Sequence, residues 1–206
     1  MTRGSNTVQV DGLTIQVHGG ATPQELAHIQ QALQQMPPGA RQYAADIYLN
    51  ENLGQILSAE GRPIGGVGGM AGDPGMRMVL DRKELRSLGS SRRLIYHEAG
   101  HNADIAIGAT NKAPWGRTGT SVSKYGKTNA KEDYAEVHRV VLQDWKRYQS
   151  MTPSQWARES EALKKMEIAQ RYGAKIPDQA EVEAAANRFN RVWRRGREMR
   201  DSWNPG

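Results

Sequence analysis

Leu94-Ile95-Tyr96-His97-Glu98-Ala99-Gly100-His101-Asn102-Ala103-Asp104 is the stretch on which the reading of this chain turns. Its two histidines stand four positions apart, so on an α-helix they project from one face, about one turn from each other. Both imidazoles then reach a single Zn2+ at roughly 2.0–2.1 Å without bending the backbone. Glu98 is rotated by about 100° from His97, too far round to share the ion but within reach of a water beside it. Zinc brings the pKa of such a water toward ~7, and a carboxylate takes its remaining proton and passes it to a leaving amine. This is the mechanics of an HExxH pattern. The pattern also occurs in helices that bind nothing, but the surroundings here favour a site. Leu94-Ile95 precede it, Ala103, Ile105 and Ala106 follow it, and Ala99 and Gly100 are small. A mid-helix glycine costs ~1 kcal/mol against alanine, which makes sense where another element packs close to Gly100. Asp104, one turn past His101, is placed to accept the far ring N–H of a ligand histidine. A solvated helix aspartate explains it equally well.

A catalytic zinc site takes three protein ligands and leaves a position open. The chain has no cysteine, which excludes thiolate ligands and disulfides alike. No histidine follows at HExxHxxGxxH spacing, since position 107 is Ile. His18 follows a strand pattern and His28 lies in a helix pattern; both read as surface or packing residues. Acidic side chains gather instead in Lys131-Glu132-Asp133-Tyr134-Ala135-Glu136. Glu132 and Glu136 share one helix face, and Ala135 permits close approach to the motif helix. With Asn129 as N-cap, Glu132 occupies N3, where it can complete a capping box instead. The helix N-terminus keeps it ionised in either role. Spacing leaves Glu132 and Glu136 level as third ligand.

Upstream, Val8-Gln-Val-Asp-Gly-Leu-Thr-Ile-Gln-Val17 alternates apolar and polar residues around Asp11-Gly12 and predicts a two-residue hairpin. Thr22-Pro23-Gln24-Glu25 reads as N-cap, N1 proline and N3 carboxylate of a capping box. Leu26, Ile29, Leu33 and Met36 continue at helical spacing, and Pro37-Pro38-Gly39 is the stop. A short helix around 41–45 and a strand near 47–49 follow. Gly65-Gly-Val-Gly-Gly-Met-Ala-Gly72 lacks the Lys-Ser/Thr ending of a phosphate loop and the dinucleotide spacing. It reads as a loop or strand end that needs unusual backbone angles or close approach. Met76-Arg77-Met78-Val79-Leu80 reads as a strand. As an edge strand ahead of the motif helix it pairs with an extended peptide through main-chain hydrogen bonds; as a core strand it needs no partner. Ser90 or Ser91 caps the motif helix, which Gly108 ends near Ile107. A polar loop over 108–128 leads to a helix from Asn129 to about Trp145. Thr152-Pro153 opens another helix to about Tyr172, and Pro177-Asp178 starts a last one, with Val182, Ala185, Phe189, Val192 and Trp203 near one stripe.

No repeat and no firm boundary emerges, so a single α+β domain over 1–206 is expected. It divides into a sheet-containing part (1–89), the motif helices (90–147) and a helical C-terminal part (152–206). With 37% hydrophobic and 24% charged residues the composition is globular, on the polar side. No apolar run approaches a membrane span. Met1-Thr-Arg-Gly-Ser-Asn6 leads into no apolar segment, so a secretory signal is not expected. The expected location is cytoplasmic, or outside the cell by a non-classical route. Much of the net charge of +6 sits at Arg188, Arg191, Arg194, Arg195, Arg197 and Arg200. A solvated helix face accounts for these most simply. With Phe189 and Trp193 interleaved they also suit nucleic-acid phosphates, but no base-reading motif accompanies them.

The stretch Ser123-Lys-Tyr-Gly-Lys-Thr-Asn-Ala-Lys-Glu-Asp-Tyr-Ala-Glu136, following His97-Glu-Ala-Gly-His-Asn-Ala-Asp104, resembles the catalytic domain of lethal factor-type, toxin-associated zinc metallopeptidases. In that family HExGHxxxD is followed, across a loop, by Tyr-Gly-x-Thr-Asn-x-x-Glu-x-Phe-Ala-Glu. The resemblance implies a zincin-like, gluzincin-type domain with one Zn2+ per chain held by His97, His101 and Glu132, and Glu98 as catalytic base. It implies that Tyr125 donates a hydrogen bond to the oxyanion or leaving group, as a phenol neutral at pH 7 can. Glu136 would stand as an acid behind the ligands. Tyr134 replaces the family's Phe and adds a hydroxyl. The match covers about forty residues, 97–136. The activity it implies is endopeptidase cleavage of a protein or peptide, of an effector or phage-associated kind. A repressor-cleaving peptidase also pairs HExxH with a Glu on the following helix, but often has a longer Ala-Asn-x-Phe-Ala stretch that is absent here. A virion-structural or interaction protein that keeps zinc without turnover is the reading from another class.

Overall fold

The computed structural model describes residues 6–51, 53, 68–72, 77–107, 110, 115, 121–148 and 165. The expected helices beyond residue 150, the Arg-rich stretch 188–200, Gly65 to Val67, Met76 and the Gly108 stop lie outside these residues. Within them the architecture is α+β: a five-stranded mixed sheet packed against helices.

The hairpin forms as its alternation predicts. Strands β1 (Asn6–Val10) and β2 (Leu13–His18) pair antiparallel, with Val10 opposite Leu13. Asp11 and Gly12 both take positive φ, 47° and 83°, the backbone of the two-residue turn whose twist matches the strands. Val8, Val10, Ile15 and Val17 enter the core, while Gln9, Thr14 and Gln16 stay outside. The capping box also forms as expected: Thr22 Oγ accepts from the Glu25 amide, and the Glu25 carboxylate accepts from the Thr22 amide. Helix α1 (Pro23–Gln35) follows, then the single turn α2 (Pro38–Arg41), a 3-10 turn at Gln42–Ala44 and strand β3 (Asp46–Asn50). Buried Arg41 donates to the carbonyls of Leu33, Met36 and Gln34 and pairs with Asp11. It thereby satisfies the free C-terminal carbonyls of α1 and ties them to the hairpin turn.

Strands β4 (Gly69–Gly72) and β5 (Arg77–Asp81) complete the sheet in the order β1-β2-β3-β5-β4. This corrects the edge-strand expectation for Met76–Leu80. β5 is paired on both sides, parallel to β3 and antiparallel to β4, and Met78 and Leu80 are buried. Among the described residues the edge strands are β1 and β4, the latter the end of the glycine-rich run. Glycine disfavours strands on propensity, so the alternation of Arg77 to Asp81 is visible in sequence and its glycine partner is not.

A 3-10 turn (Arg82–Arg86) leads into the motif helix α3 (Leu88–Ile107). Its first turn is closed by Ser87 rather than Ser90 or Ser91: Ser87 Oγ accepts from the Ser90 amide at 3.2 Å. Ile95, Tyr96, Ala99 and Ala103 enter the core, and the Tyr96 hydroxyl donates to the Ala32 carbonyl of α1. Asn102 donates to the Tyr43 carbonyl, fastening α3 to the turn before β3. After a 3-10 turn at Gly126–Thr128 come α4 (Ala130–Gln143) and the single turn α5 (Trp145–Tyr148). A Cβ on Gly100 would lie 2.7 Å from Ala135 Cα, so α3 and α4 meet backbone to backbone. Among the described residues no helix is long and apolar enough to cross a membrane.

Candidate metal centre

Helix α3 presents His97 and His101 one turn apart, their rings nearly perpendicular at 84°. Helix α4 brings Glu132 to the same point. His97 Nε2 and His101 Nε2 are 3.1 Å apart, and Glu132 Oε2 lies 3.1 Å from the first and 3.2 Å from the second. Three donor atoms thus form a near-equilateral triangle, an arrangement that can hold a metal ion. Asn129 caps α4, its side chain accepting from the Glu132 amide. The carboxylate of Glu132 faces the imidazoles, so the alternative role in a capping box is not the one it takes.

Glu136, one turn on, meets a different nitrogen. Its Oε1 lies 3.0 Å from His97 Nδ1. Arg139 grips the same carboxylate with Nε at 2.8 Å and Nη2 at 3.0 Å. Burial works against the charge of Glu136, but His97, Arg139 and Ser123 outweigh it and hold its carboxyl well below the usual range. An ionised carboxylate only accepts, so His97 Nδ1 carries a proton directed at Glu136. Burial likewise disfavours the His97 imidazolium, yet hydrogen bonds to Glu132 and Glu136 lift it to about 9. Glu132 is opposed by burial as well, and the two histidines bring it down to about 2.

Glu98 lines a cleft of about 410 Å³ together with Gly68, Gly69, Leu94, His97, Tyr125 and Arg139. Its Oε2 is buried and lacks a hydrogen-bond partner among the described residues. Burial raises its pKa, against the pull of His97 and His101, and the Ala71 backbone of β4 supplies a hydrogen bond. Gly69 is shaped around this carboxylate, since a Cβ there would meet Glu98 Oε1 at 2.6 Å. Tyr125 stands at the cleft, 47% exposed, its ring centroid 5.5 Å from that of His97. Burial, then Glu132 and Glu98, push the phenol up to about 12, so it is a neutral donor.

Asp104 does not back a histidine. Both its oxygens accept from Thr110, from the amide at 2.7 Å and the hydroxyl at 2.8 Å. A short side chain near the end of α3 reaches the chain just beyond more easily than a ring one turn back. The far nitrogen it was expected to hold is served, on His97, by Glu136. His18 pairs with Asp46, and His28 Nδ1 meets the Leu85 carbonyl; both sit apart from the centre. Buried His138 meets the Tyr96 carbonyl, and burial lowers its pKa to about 4.

The glycine-rich run reads in sequence as a place of close approach, and at Gly69 the approaching group is Glu98. Arg139 was not singled out, though its place three residues after Glu136 on one helix face was a signal. A scan against protein-family models, a search of curated proteins and a search of solved structures return no match.

Proposed function

We propose that this chain is a zincin-like, zinc-dependent endopeptidase, related in its site to the lethal factor-type peptidases and acting on a protein or peptide. The observation that carries the reading is the triangle of His97, His101 and Glu132, with edges of 3.1–3.2 Å, beside a buried, unpartnered carboxylate oxygen of Glu98. Donor atoms this close together are ones that a single ion would reach at bonds of roughly 2.0–2.1 Å. Two imidazoles and one carboxylate are also a donor set zinc accepts. A structural site is closed by a fourth protein ligand; the group found among the described residues has three members.

When bound, zinc supplies Lewis acidity towards a carbonyl oxygen and towards water. The chain's own residues do the rest. Glu98, desolvated against Gly69, has the raised proton affinity of a general base that takes a proton from water and returns it to the leaving amine. Tyr125 donates from its phenol to the oxygen on which negative charge develops. Glu136, held by Arg139, fixes the His97 ring with its Nε2 free for the ion. The cleft beside α3 and β4 receives the peptide.

The test is metal analysis together with cleavage of a peptide library. The wild-type chain is expected to hold one zinc, and His97→Ala none. Glu98→Gln is expected to keep zinc while losing about 10²–10⁴ in kcat. A chain that holds no zinc, or a Glu98→Gln variant that cleaves as well as wild type, defeats the proposal.

A further inference from the structure

Asp133 follows Glu132 in the first turn of α4, a position where an aspartate normally faces solvent and the helix dipole. Here it is 6% exposed and turned towards the chain that precedes Tyr125. Its Oδ1 accepts from Ser121 Oγ at 2.6 Å and from the Val122 amide at 3.3 Å. Its Oδ2 accepts from Trp115 Nε1 at 3.1 Å and from Lys165 Nζ. Lys165 is 1% exposed, and its ammonium lies 5.7 Å from the Trp115 ring. The loop is folded directly onto this carboxylate: a Cβ on Gly126 would meet Ser121 Oγ at 2.5 Å and Asp133 Oδ1 at 2.9 Å. The Gly126 amide donates to Ser123 Oγ, and Ser123 in turn bonds Glu136. The proposed reaction uses neither Asp133 nor Lys165.

We infer that Asp133, neutralised by Lys165, is a positioning residue that sets Tyr125 over the His97–His101–Glu132 group. The inference rests on the reading of Tyr125 as the donor to the developing oxyanion. Tyr125 is half-exposed, and what it meets in front is the site itself, Glu132 by a hydrogen bond and the His97 ring, so the loop behind it must be held by other residues. A buried carboxylate accepting from three points of the loop does this, provided a cation offsets its own burial. Without that cation the buried carboxylate is left without an ion-pair partner, and the loop that donates to it loses its fixed anchor. A displacement of 1 Å in a catalytic group costs about 10² in rate. The pair also makes Lys165 a requirement for turnover, although it is not among the residues that line the cleft.

The test compares the zinc-loaded full chain with its Lys165→Met and Asp133→Asn variants. Zinc content is expected to stay at the wild-type value. In both variants kcat is expected to fall at least about tenfold, with KM changing much less. Tyr125→Phe is expected to cost far less in the Lys165→Met background than in wild type, because the hydroxyl is already misplaced. Hydrogen exchange at the Val122 and Gly126 amides is expected to quicken while that of α3 does not. If the Lys165 and Tyr125 effects multiply independently, or those amides keep their protection, the inference is overturned. Should Lys165→Met not fold, Ser121→Ala, which removes one donor and no charge, carries both readouts. A wild-type chain that neither binds zinc nor cleaves overturns the peptidase reading and the catalytic role of the pair together. The exchange measurement then still decides whether the pair fixes the loop.

Discussion

Glu132 and Glu136 carry the same charge on one face of one helix, yet they meet different nitrogens. Glu132 Oε2 faces the Nε2 atoms of both histidines, and Glu136 faces only Nδ1 of His97. One therefore joins the donor triangle, and the other sets which nitrogen keeps its proton. Without a metal the His97 ring is held as an imidazolium, its pKa raised from 6.5 to about 9. This charge stabilises the metal-free fold fully below pH 6.5, and the contribution is lost as pH rises through 9. Glu132, lowered from 4.5 to about 2, contributes above pH 4.5 and ceases to as pH falls toward 2. A metal ion held by His97 would compete with its proton, so a metal-loaded chain would escape the alkaline loss. The gap in thermal midpoint between zinc-loaded and chelated protein is expected to widen from pH 6.5 to 9, and a scanning calorimetry series that finds it constant contradicts the assignment. Tyr125→Phe, also a residue-scale change, is expected to lower kcat by about 10²–10³ with zinc retained; stopped assays with metal analysis check it. Of this site, the two histidines and Glu98 were legible because helical periodicity alone puts them in place. The choice between Glu132 and Glu136 was not, since both satisfy that period and only the approach of a second helix separates them. Asp104 misled for the same reason: its spacing suited a histidine, but the chain beyond Ile107 offered nearer donors.

At the scale of elements, two glycines decide how the site is assembled. Gly100 lets α3 and α4 touch, and a methyl group there would meet Ala135 Cα at 2.7 Å and His138 Cβ at 3.0 Å. Alanine gains up to ~1 kcal/mol of helix propensity, but overpacking in a fixed core costs roughly 1–3 kcal/mol. Because the clash is with backbone, Gly100→Ala is expected to be destabilising on balance and to weaken zinc binding by moving Glu132. Denaturant melts and zinc titration measure the two effects. Gly69→Ala acts elsewhere, pressing on Glu98 from 2.6 Å. It is expected to leave zinc in place and reduce turnover, and a variant with normal kcat would show that the β4 contact is incidental. The hairpin and the first capping box were readable because Asp11-Gly12 and Thr22-Pro23-Gln24-Glu25 act within a few residues of themselves. The pairing of β4 with β5 was not. The strand Gly69-Met70-Ala71-Gly72 forms because β5 offers an edge, with glycine at 69 where Glu98 leaves no room for a side chain, and neither condition is local.

For the molecule as a whole, the sheet, α1, α3 and α4 share one core, from Val8 and Ile29 to Tyr96 and Tyr134. The motif helix is held at several points, to α1 by Tyr96 and to the turn before β3 by Asn102. Stripping zinc with a chelator is expected to lower the thermal midpoint, by an amount corresponding to about 2.7 kcal/mol when free zinc stood at 100 times its dissociation constant. The far-UV dichroism of the stripped protein at 20 °C or so is expected to match that of the loaded one, and a large loss of helical signal on chelation argues that the ion itself organises α3 and α4. The direct contact between Gly100 and Ala135 makes the first outcome the expected one. Two main chains in van der Waals touch leave no rotamers to reorganise when a ligand arrives. The receptor for the ion is then a fixed mould rather than a closing hand, selective by the size of its opening, and exchange of one divalent cation for another is expected to alter rate far more than shape.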